Sequence, residues 1–442
     1  MKLRILAYLV LFLAVVPVHA EKRYIVRGSS KAVQNVVSKN RLKIRRQARA
    51  GAQVFALVTD PDRRSANDLA KAAGKESGLD AFEPDADVLI PEAPQGLQLN
   101  QSTVAILDGG AAAPFFGSTV WSGYLTQGAT GIVGLPQAWR LATGSGTVAV
   151  IDTGVDPRHP VLAGSLAPGY DFLLDQPGDA SELAGIDQST VAILDGAQGV
   201  DGKAPLRVNQ STVAILDQST VAILDQSTVG ILDRLGPAFG HGTMVAGLIH
   251  LVAPTARIMP LRTFHADGTG KLYDVLRAIY YAVDSGAKVI NMSFSMKAPS
   301  KELEAAIRSA NSQRVICIAS AGNDGSQTMV YPAGWNKVEG VGSTNDRDRR
   351  SEFSNYGNTL VSFAAPGESL ITIYPGQNYA AASGTSFSTA LVSGAAALLV
   401  EIEPRINQAQ AEKALSKSAV PVPQLGSGRI DIHRACSYAQ QH

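Results

Sequence analysis

Residues 147–154 read TVAVIDTG, and this stretch decides the fold of the longer part of the chain. It is apolar at nearly every position up to Asp152, where Thr153 and Gly154 suit a tight exit from a strand. Strands that are apolar on both faces are typical of parallel sheets covered by helices. Similar runs alternate with helical patterns after about Trp121: ARIMPL, KVINMSF, RVICIAS and VEGVGS. We therefore predict an α/β domain with a parallel β-sheet and helices on both faces.

An octapeptide that imitates this strand, QSTVAILD, recurs along the chain. Five copies occur: 101–108, 188–195 and three in tandem at 210–233, of which the last reads QSTVGILD. Six aspartates therefore end a similar apolar run: Asp108, Asp152, Asp195, Asp217, Asp225 and Asp233. Only Asp152 leads into Thr-Gly-Val-Asp-Pro, and Asp233 lies just eight residues before His241. Because adjacent parallel strands need a crossover of roughly a dozen residues, we select Asp152 as the aspartate that is fit for chemistry.

Four of the five copies fall between Asp152 and His241, and they indicate an insertion at about 175–236. An even repeat length keeps Val and Ile on one strand face and Ala and Leu on the other. We predict short strands that turn at Asp-Gln-Ser and pack on each other or on the copy at 101–108. A calcium-binding repeat is the alternative, but one aspartate per repeat without glycine-rich turns is a poor ligand set.

Two further motifs carry residue types that acyl transfer needs. His241 lies between two glycines in GHGTMVAG, at the start of a predicted helix where an imidazole stays accessible as a general base. Ser386 opens the helix FSTALVSGAAALLV, where a backbone N–H faces developing negative charge. Taken singly, each has a plainer interpretation, a structural histidine and a helix-capping serine. His250, His265 and His433 have no such context, and we interpret them as structural.

The order Asp152, His241, Ser386 is the order of the subtilisin triad. From about 131 to 435 the chain resembles the subtilisin-like serine proteases in motif after motif. The matching motifs are AVIDTGVD, GHGTMVAG, VAPTARIMPLR, AKVINMSF, ASAGNDG, YPAG, SEFSNYG, AAPG, GTSFSTALVSGAAALL and GSGRIDIHRA. The resemblance implies a subtilisin-like fold and a serine endopeptidase. Such an enzyme hydrolyses proteins or peptides through an acyl-enzyme and needs no cofactor for the chemistry.

The resemblance also implies a role for each matching residue. Ser386 is expected to be the nucleophile, His241 its general base and later acid, and Asp152 the residue that orients His241. Asn323 is expected to donate a side-chain hydrogen bond in the oxyanion hole. Substrate is expected to lie as an added β-strand against a further set of residues. They are Gly268, Thr269 and Gly270 on one side, Ser293, Phe294 and Ser295 on the other, and Ser320, Ala321 and Gly322 in the wall of the primary specificity pocket.

The chain departs from the family pattern at three places. Ala390 and Leu391 stand where family members often have proline and histidine, which changes the helix but removes no catalytic group. Val161 stands where an aspartate often binds calcium, so a structural calcium would lack this usual ligand. Ser295 replaces a common glycine beside the substrate strand and is expected to narrow the adjacent subsite.

The chain before the catalytic domain divides into three segments. Residues 1–20 have a basic start and an apolar stretch of about 14 residues, which predicts a secretory signal cut after Ala20 and too short to anchor in a membrane. No later segment is expected to be long enough either. Residues 21–92 predict a small α+β, ferredoxin-like unit similar to the family's prodomain, which acts as chaperone and inhibitor. Residues 93–125 are a linker in which the precursor is expected to be cut, and the catalytic domain spans 126–442.

Composition excludes other classes of partner. A formal net charge of +1 leaves nothing global to attract nucleic acid or an anionic membrane, and we interpret the basic run at 41–49 as a solvated strand face. The chain has two cysteines, Cys317 and Cys436, which is too few for a disulfide framework. We favour unpaired cysteines, because Cys317 sits in a buried apolar run. The predicted location is secreted, periplasmic or on the cell surface.

Two other functions stay open at this point. A catalytically silent family member would act as a binding module, and a repeat-driven protein would assemble with itself and carry the α/β domain along. All four catalytic positions are filled, which favours the enzyme.

Overall fold

The computed structural model describes residues 21–91, 111–184, 186, 213–215 and 236–442. The chain forms two compact units, Met1–Asp85 and Ala86–His442. The boundary lies before the position 92 that the sequence predicts, so the segment Ala86–Pro91 belongs to the second unit. The predicted signal at 1–20 and all the octapeptide copies, apart from residues 213–215, lie outside the described residues.

The first unit is a sheet of four antiparallel strands packed with helices. Its elements are β1 (Arg23–Gly28), α1 (Ser30–Lys39), β2 (Lys43–Ala50), β3 (Gln53–Thr59), α2 (Ala66–Ala73) and β4 (Leu79–Pro84). The strand order β2-β3-β1-β4 is that of ferredoxin-like units. Ser29 and Ser65 cap the helices with their side chains, and apolar residues such as Val26, Val33 and Val58 form the core.

Of two stretches in this region, one agrees with the sequence analysis and the other does not. The basic run at 41–49 lies largely in β2, whose side chains are mostly exposed, as a solvated strand face requires. The stretch ADVLIPE at 86–92 has the apolar pattern of a strand and lies in the small unit predicted at 21–92, but its described residues do not join the sheet of that unit. Instead β5 (Asp87–Leu89) pairs antiparallel with β13 (Thr269–Lys271) of the second unit. The prediction was wrong because an apolar alternation indicates a strand but does not say which edge accepts it.

The second unit contains the remaining elements. Its further strands are β6 (Ala112–Phe115), β7 (Ser118–Trp121), β8 (Thr147–Asp152), β9 (Gly169–Asp171), β10 (Gln176–Gly178), β11 (Val213–Ile215), β12 (Arg257–Arg262), β14 (Val289–Met292), β15 (Ile316–Ser320), β16 (Glu339–Thr344), β17 (Phe363–Pro366), β18 (Leu370–Tyr374) and β19 (Asn378–Ala382). Its helices are α3 (Ser122–Thr126), α4 (Gly128–Ile132), α5 (Leu135–Ala138), α6 (His241–Val252), α7 (Leu272–Asp284), α8 (Lys301–Ser312), α9 (Thr385–Ile402), α10 (Gln408–Ser418) and α11 (Ile432–Gln441).

The main sheet has eight strands in the order β10-β9-β12-β8-β14-β15-β16-β17. All neighbours are parallel except β9 and β10. Helices flank this sheet: α6 packs with α9, α7 packs with α8, and these helices contact the strands. The predicted α/β fold with a parallel sheet is confirmed.

Helix α9 is the central helix of this unit and is buried from Thr385 to Val400. At Gly394 it lies so close to α6 that an added Cβ would be 2.5 Å from the Cβ of Val252. By length and composition α9 could cross a membrane, which corrects the expectation that no segment after the first twenty residues is long enough. Its burial within the unit makes it a core helix instead.

Two regions outside the main sheet fall in the predicted linker and the predicted insertion. Part of the predicted linker at 93–125 forms a β-hairpin from β6 and β7, and its Phe115 is buried against Trp139 and His250. Within the octapeptides, Val213–Ile215 forms β11, which pairs antiparallel with β19. These three residues of the copy at 210–217 form a strand, as predicted. The predicted packing of the copies on each other falls on residues outside the described ones.

Candidate active site

Asp152 and His241 lie 89 positions apart in the chain and meet where β8 ends and α6 begins. Nδ1 of His241 is 2.7 Å from Oδ1 of Asp152, and both side chains are buried. The same Oδ1 accepts a hydrogen bond of 2.8 Å from the N–H of Thr153. A carboxylate at Nδ1 holds the ring in the tautomer whose Nε2 can accept a proton. Among the described residues, that Nε2 has no hydrogen-bond partner.

Ser386 lies in the first turn of α9, next to Phe387, whose ring centre is 5.4 Å from that of His241. Its Oγ is buried and has no hydrogen-bond partner within the described part of the chain. Its backbone is fixed, because Oγ of Ser293 donates to the Ser386 carbonyl at 3.2 Å and Asn291 donates to Ser293 at 2.9 Å. The two atoms expected to react, Oγ of Ser386 and Nε2 of His241, are thus both unpaired on adjoining helix starts.

The side-chain amide of Asn323 accepts hydrogen bonds through its oxygen and donates one through its nitrogen. Its Oδ1 accepts hydrogen bonds from the N–H of Thr385 at 2.9 Å and from the Thr385 hydroxyl at 2.8 Å. Its Nδ2 donates to the carbonyl oxygen of Pro91 at 2.9 Å. An amide fixed in this way presents its N–H to a carbonyl oxygen without rearranging, which is what an oxyanion hole requires.

The segment Ala86–Pro91 reaches that donor as an added β-strand of the second unit. On one side β5 pairs with β13, and the N–H of Ile90 donates to the carbonyl of Gly268 at 3.0 Å. On the other side Leu89 and Ser295 exchange two backbone hydrogen bonds, of 3.1 and 2.8 Å. This is the main-chain pattern of a peptide bound by strand addition.

Side chains of this segment alternate between the protein and the solvent. Val88 and Ile90 are buried, at 0% and 6% exposure, whereas Leu89 is 50% exposed. Because successive side chains of a strand point to opposite faces, the cleft contacts every second residue. Two apolar side chains therefore fill it before the chain reaches Pro91.

These features coincide with a match to a known family. The family model described as the subtilase family matches residues 144–434. The chain belongs to the subtilase family. Asp152, His241, Asn323 and Ser386 all lie within the matched range.

Several relatives resemble this subtilase over much of its length. It is 33% identical over 307 residues to the thermophilic serine proteinase of Bacillus sp. (strain AK1), covering 68% of this chain and 64% of that protein. It is 30% identical over 314 residues to thermitase of Thermoactinomyces vulgaris, covering 69% of this chain and 93% of thermitase. The chain therefore spans a little under two thirds of the first relative and nearly all of the second.

A solved structure carries the same fold. The crystal structure of fervidolysin from Fervidobacterium pennivorans, a keratinolytic enzyme related to subtilisin, superposes with a TM-score of 0.68 and covers 95% of this chain and 61% of that chain. At 22% identity the likeness supports the fold of the subtilase, which is confirmed.

The residues that the sequence predicts as substrate contacts make several different kinds of interaction in the subtilase. Gly268 and Ser295 bond the added strand directly, and Thr269 and Gly270 pair with it through β13. Ser293 turns its hydroxyl to the Ser386 carbonyl. The side chain of Phe294 instead packs on Phe264, at 5.3 Å between ring centres. Gly268, Thr269, Gly270 and Ser295 thus share main-chain pairing with the strand.

The expected pocket wall lies beside Asn323. Ser320 and Ala321 are fully buried, and Asn355 donates to the Ala321 carbonyl at 2.9 Å. The N–H of Gly322 donates to the Thr385 hydroxyl at 3.2 Å, and its φ of +93° is a conformation that favours glycine. This wall is therefore tied to the same hydroxyl that holds Asn323.

Sequence reasoning missed Glu182, which lies near the start of the insertion. Its side chain is buried and accepts hydrogen bonds from the hydroxyl of Thr243 and from the N–H groups of Gly242 and Thr243. Burial is the main cause that raises the pKa of Glu182 to about 7, and the nearby charge of Asp152 adds to it. The surrounding sequence DASELAG has no periodic pattern, so nothing local distinguishes this glutamate.

A buried valine occupies the position where family members often have a calcium-binding aspartate. Val161 is buried and has no donor atom, and the neighbouring His159 contacts the carbonyl of Asn378 at 3.2 Å. Burial lowers the pKa of His159 to about 4. Over residues 21–91, 111–184, 186, 213–215 and 236–442, no three His, Cys, Asp or Glu side chains are grouped to hold a metal. The side chains here do not fit a calcium ion at this position.

Proposed function

We propose that this subtilase is an exported serine endopeptidase, made as a precursor that cuts its own chain after Pro91. The observation that carries the proposal is the segment Ala86–Pro91, which lies in the cleft as an added strand with its last carbonyl on Asn323. A substrate presents the bond to be broken in the same way: it lies as a strand, and its carbonyl oxygen accepts a hydrogen bond from the donor of the oxyanion hole.

The acylation step follows from the side chains around that carbonyl. Oγ of Ser386 attacks the carbonyl carbon of Pro91 while Nε2 of His241 takes the hydroxyl proton. Asp152 keeps the His241 ring in the required tautomer through the contact at Nδ1. Negative charge develops on the carbonyl oxygen, where the Nδ2 group of Asn323 already donates a hydrogen bond.

The intermediate then collapses and the peptide bond breaks. The proton on His241 passes to the departing nitrogen of Glu92, so the chain from Glu92 onward leaves as an amine and residues up to Pro91 remain as an ester on Ser386. A water molecule that loses a proton to His241 then attacks this ester. His241 returns the proton to Oγ of Ser386 as the carboxyl group of Pro91 is released. Every proton transfer uses a residue of the chain, so the chemistry needs no cofactor.

The same segment accounts for an inactive precursor. While Ala86–Pro91 occupies the cleft, another peptide cannot pair with Gly268 and Ser295, because their backbone groups are already bonded. The segment before the catalytic domain is thus proposed to act as substrate first and as inhibitor afterwards. Activity toward other proteins begins when the segment leaves.

From the burial pattern we also propose a preference among substrates. Counting back from the bond after Pro91, the second and fourth residues are Ile90 and Val88, which are buried, and the third is the exposed Leu89. Proteins or peptides with apolar residues two and four positions before the cut are therefore the proposed substrates.

A fluorophosphonate probe tests the proposed activity, because it reacts with an activated serine. The full chain is expressed with and without Ser386→Ala, and labelling and chain length are measured. Labelled, shortened wild type and an unlabelled, full-length Ser386→Ala variant are expected. A folded, processed wild type that takes no label would identify a silent binding module, and a shortened Ser386→Ala variant would assign the cut to another protease.

A further inference from the structure

Glu182 lies between the two motifs that supply Asp152 and His241. Its backbone N–H donates to the carbonyl of Val155 at 2.9 Å, and the N–H of Val155 donates to the carbonyl of Ala180 at 3.1 Å. The beginning of the insertion is thus pinned to the chain just after Asp152. Glu182 is buried, at 4% exposure, yet it takes no part in the proposed acylation and hydrolysis steps.

The carboxylate of Glu182 collects donors from both motifs. Its Oε1 accepts from the hydroxyl of Thr153, from the N–H of Gly242 at 2.9 Å and from the N–H of Thr243 at 3.3 Å. Its Oε2 accepts from the hydroxyl of Thr243 at 2.7 Å. Thr153 directly follows Asp152, and Gly242 directly follows His241. One carboxylate therefore ties together the two chain segments on which the Asp152–His241 hydrogen bond depends.

Two opposing effects act on the ionisation of the buried Glu182 carboxylate. The N–H groups at the start of α6 favour a negative charge there. Against this, burial raises its pKa to about 7, with a further contribution from Asp152. The other polar groups facing this region are the Tyr374 hydroxyl, Asp156, whose N–H donates to Thr243, and Arg262, which is paired with Asp171.

We propose that Glu182 is a positioning residue of the active site, whose carboxylate sets the separation of Asp152 and His241. The proposal rests on the proposed peptidase function. Substrate does not touch Glu182, so its effect passes through the turn after Asp152 and the first turn of α6.

Glu182→Gln tests this role with little change of shape. The amide offers one acceptor oxygen instead of two, so a hydrogen bond to Thr243 or to the α6 backbone is lost. We expect kcat on a Val-Leu-Ile-Pro nitroanilide to fall about 10- to 100-fold while KM stays within about twofold.

Glu339→Gln is the matched control. Glu339 is also buried, burial likewise raises its pKa to about 7, and it bonds Gln408 of α10 rather than either motif. We expect this variant to keep the kcat of the wild type. A folded Glu182→Gln enzyme with wild-type kcat would overturn the proposal, as would a Glu339→Gln enzyme with the same loss of kcat.

Two further measurements keep the test decisive. The proton between Nδ1 of His241 and Asp152 gives a downfield NMR resonance, which Glu182→Gln is expected to shift or broaden and Glu339→Gln to leave in place. This signal decides the role of Glu182 even if the wild type hydrolyses no peptide, an outcome that rejects the proposed function alone. If Glu182→Gln does not fold, Thr243→Val should lose kcat and Thr243→Ser should keep it; equal activity in both would overturn the proposal.

Discussion

The carbonyl oxygen of Pro91 accepts a hydrogen bond of 2.9 Å from Nδ2 of Asn323. Because this donor is anchored by Thr385, next to Ser386, the proposed cut falls at the bond that follows Pro91. We expect the processed enzyme to begin at Glu92, which mass spectrometry of the intact chain and N-terminal sequencing would identify. A first cut that falls only beyond Ala93, in the linker, would contradict this assignment.

Removing the donor of Asn323 should slow the chemistry more than binding. We expect Asn323→Ala to lower kcat about 100- to 1,000-fold with a small change in KM, because the hydrogen bond strengthens as charge develops on the oxygen. Asn323→Asp is the matched variant, since it keeps an oxygen for Thr385 and replaces the donor with a carboxylate oxygen that repels the developing charge. Steady-state kinetics that showed near wild-type kcat in either variant would remove Asn323 from the oxyanion hole.

Much of the catalytic constellation follows from local sequence. Asp152 could be distinguished from the five aspartates that end the octapeptide copies, because the residues after Asp152 fix the turn and turn chemistry is local. His241 and Thr385 begin helices α6 and α9, as glycine-flanked helix starts predict. These features depend on residues within a few positions of each other, which a sequence displays directly.

The rest depends on distant partners. The alternation in ADVLIPE predicts a strand, but its pairing with Thr269–Lys271 joins positions about 180 residues apart. Glu182 gains its importance only when the insertion folds back on Gly154 and the start of α6. Val213–Ile215 likewise pairs with β19, about 165 positions further along the chain. None of these partners is marked by a local pattern.

Peptide substrates should report which side chains the cleft contacts. The reference is Val-Leu-Ile-Pro nitroanilide, which reproduces residues 88–91. We expect aspartate in place of Val or Ile to lower kcat/KM by about 10-fold or more, because each of these positions is buried. Aspartate in place of Leu is expected to change kcat/KM by less than about threefold, since Leu89 is half exposed. Equal losses at all three positions would contradict the strand register.

Glu339 should give the free energy of unfolding a defined pH dependence. Burial, with the charge of Glu412, raises its pKa to about 7 from 4.5, so the folded state binds this proton more tightly than the unfolded state. Its contribution to stability is full below pH 4.5 and is lost as the pH rises through 7. Glu339→Gln cannot titrate, so its stability relative to wild type should increase over this range, by on the order of 3 kcal/mol.

The measurement is urea unfolding at several pH values in the Ser386→Ala background, which prevents self-digestion. Comparing the variant with wild type at each pH cancels the other buried groups, among them His159 and His250, for which burial lowers the pKa to about 4. Glu304→Gln, at a partly exposed position on α8, is the control for removing a carboxylate. A difference between Glu339→Gln and wild type that does not vary with pH would show that Glu339 does not titrate in this range.

Gly242 should tolerate no side chain, because the two catalytic motifs meet there. A Cβ at this position would lie 2.0 Å from the carbonyl oxygen of Gly154 and 3.2 Å from the Cβ of Asp152. We expect Gly242→Ala to push the start of α6 away from the loop after Asp152, lowering the free energy of unfolding by about 1 to 3 kcal/mol and kcat by a larger factor than KM.

Gly131→Ala is the control for this substitution, because an added Cβ at Gly131 meets nothing within 4 Å. It should leave kcat unchanged and add up to about 1 kcal/mol of stability, since alanine restricts the unfolded chain. Urea unfolding in the Ser386→Ala background and kinetics in the active enzyme separate the two effects. A Gly242→Ala enzyme with wild-type kcat would mean that the start of α6 can move without disturbing the contact between His241 and Asp152.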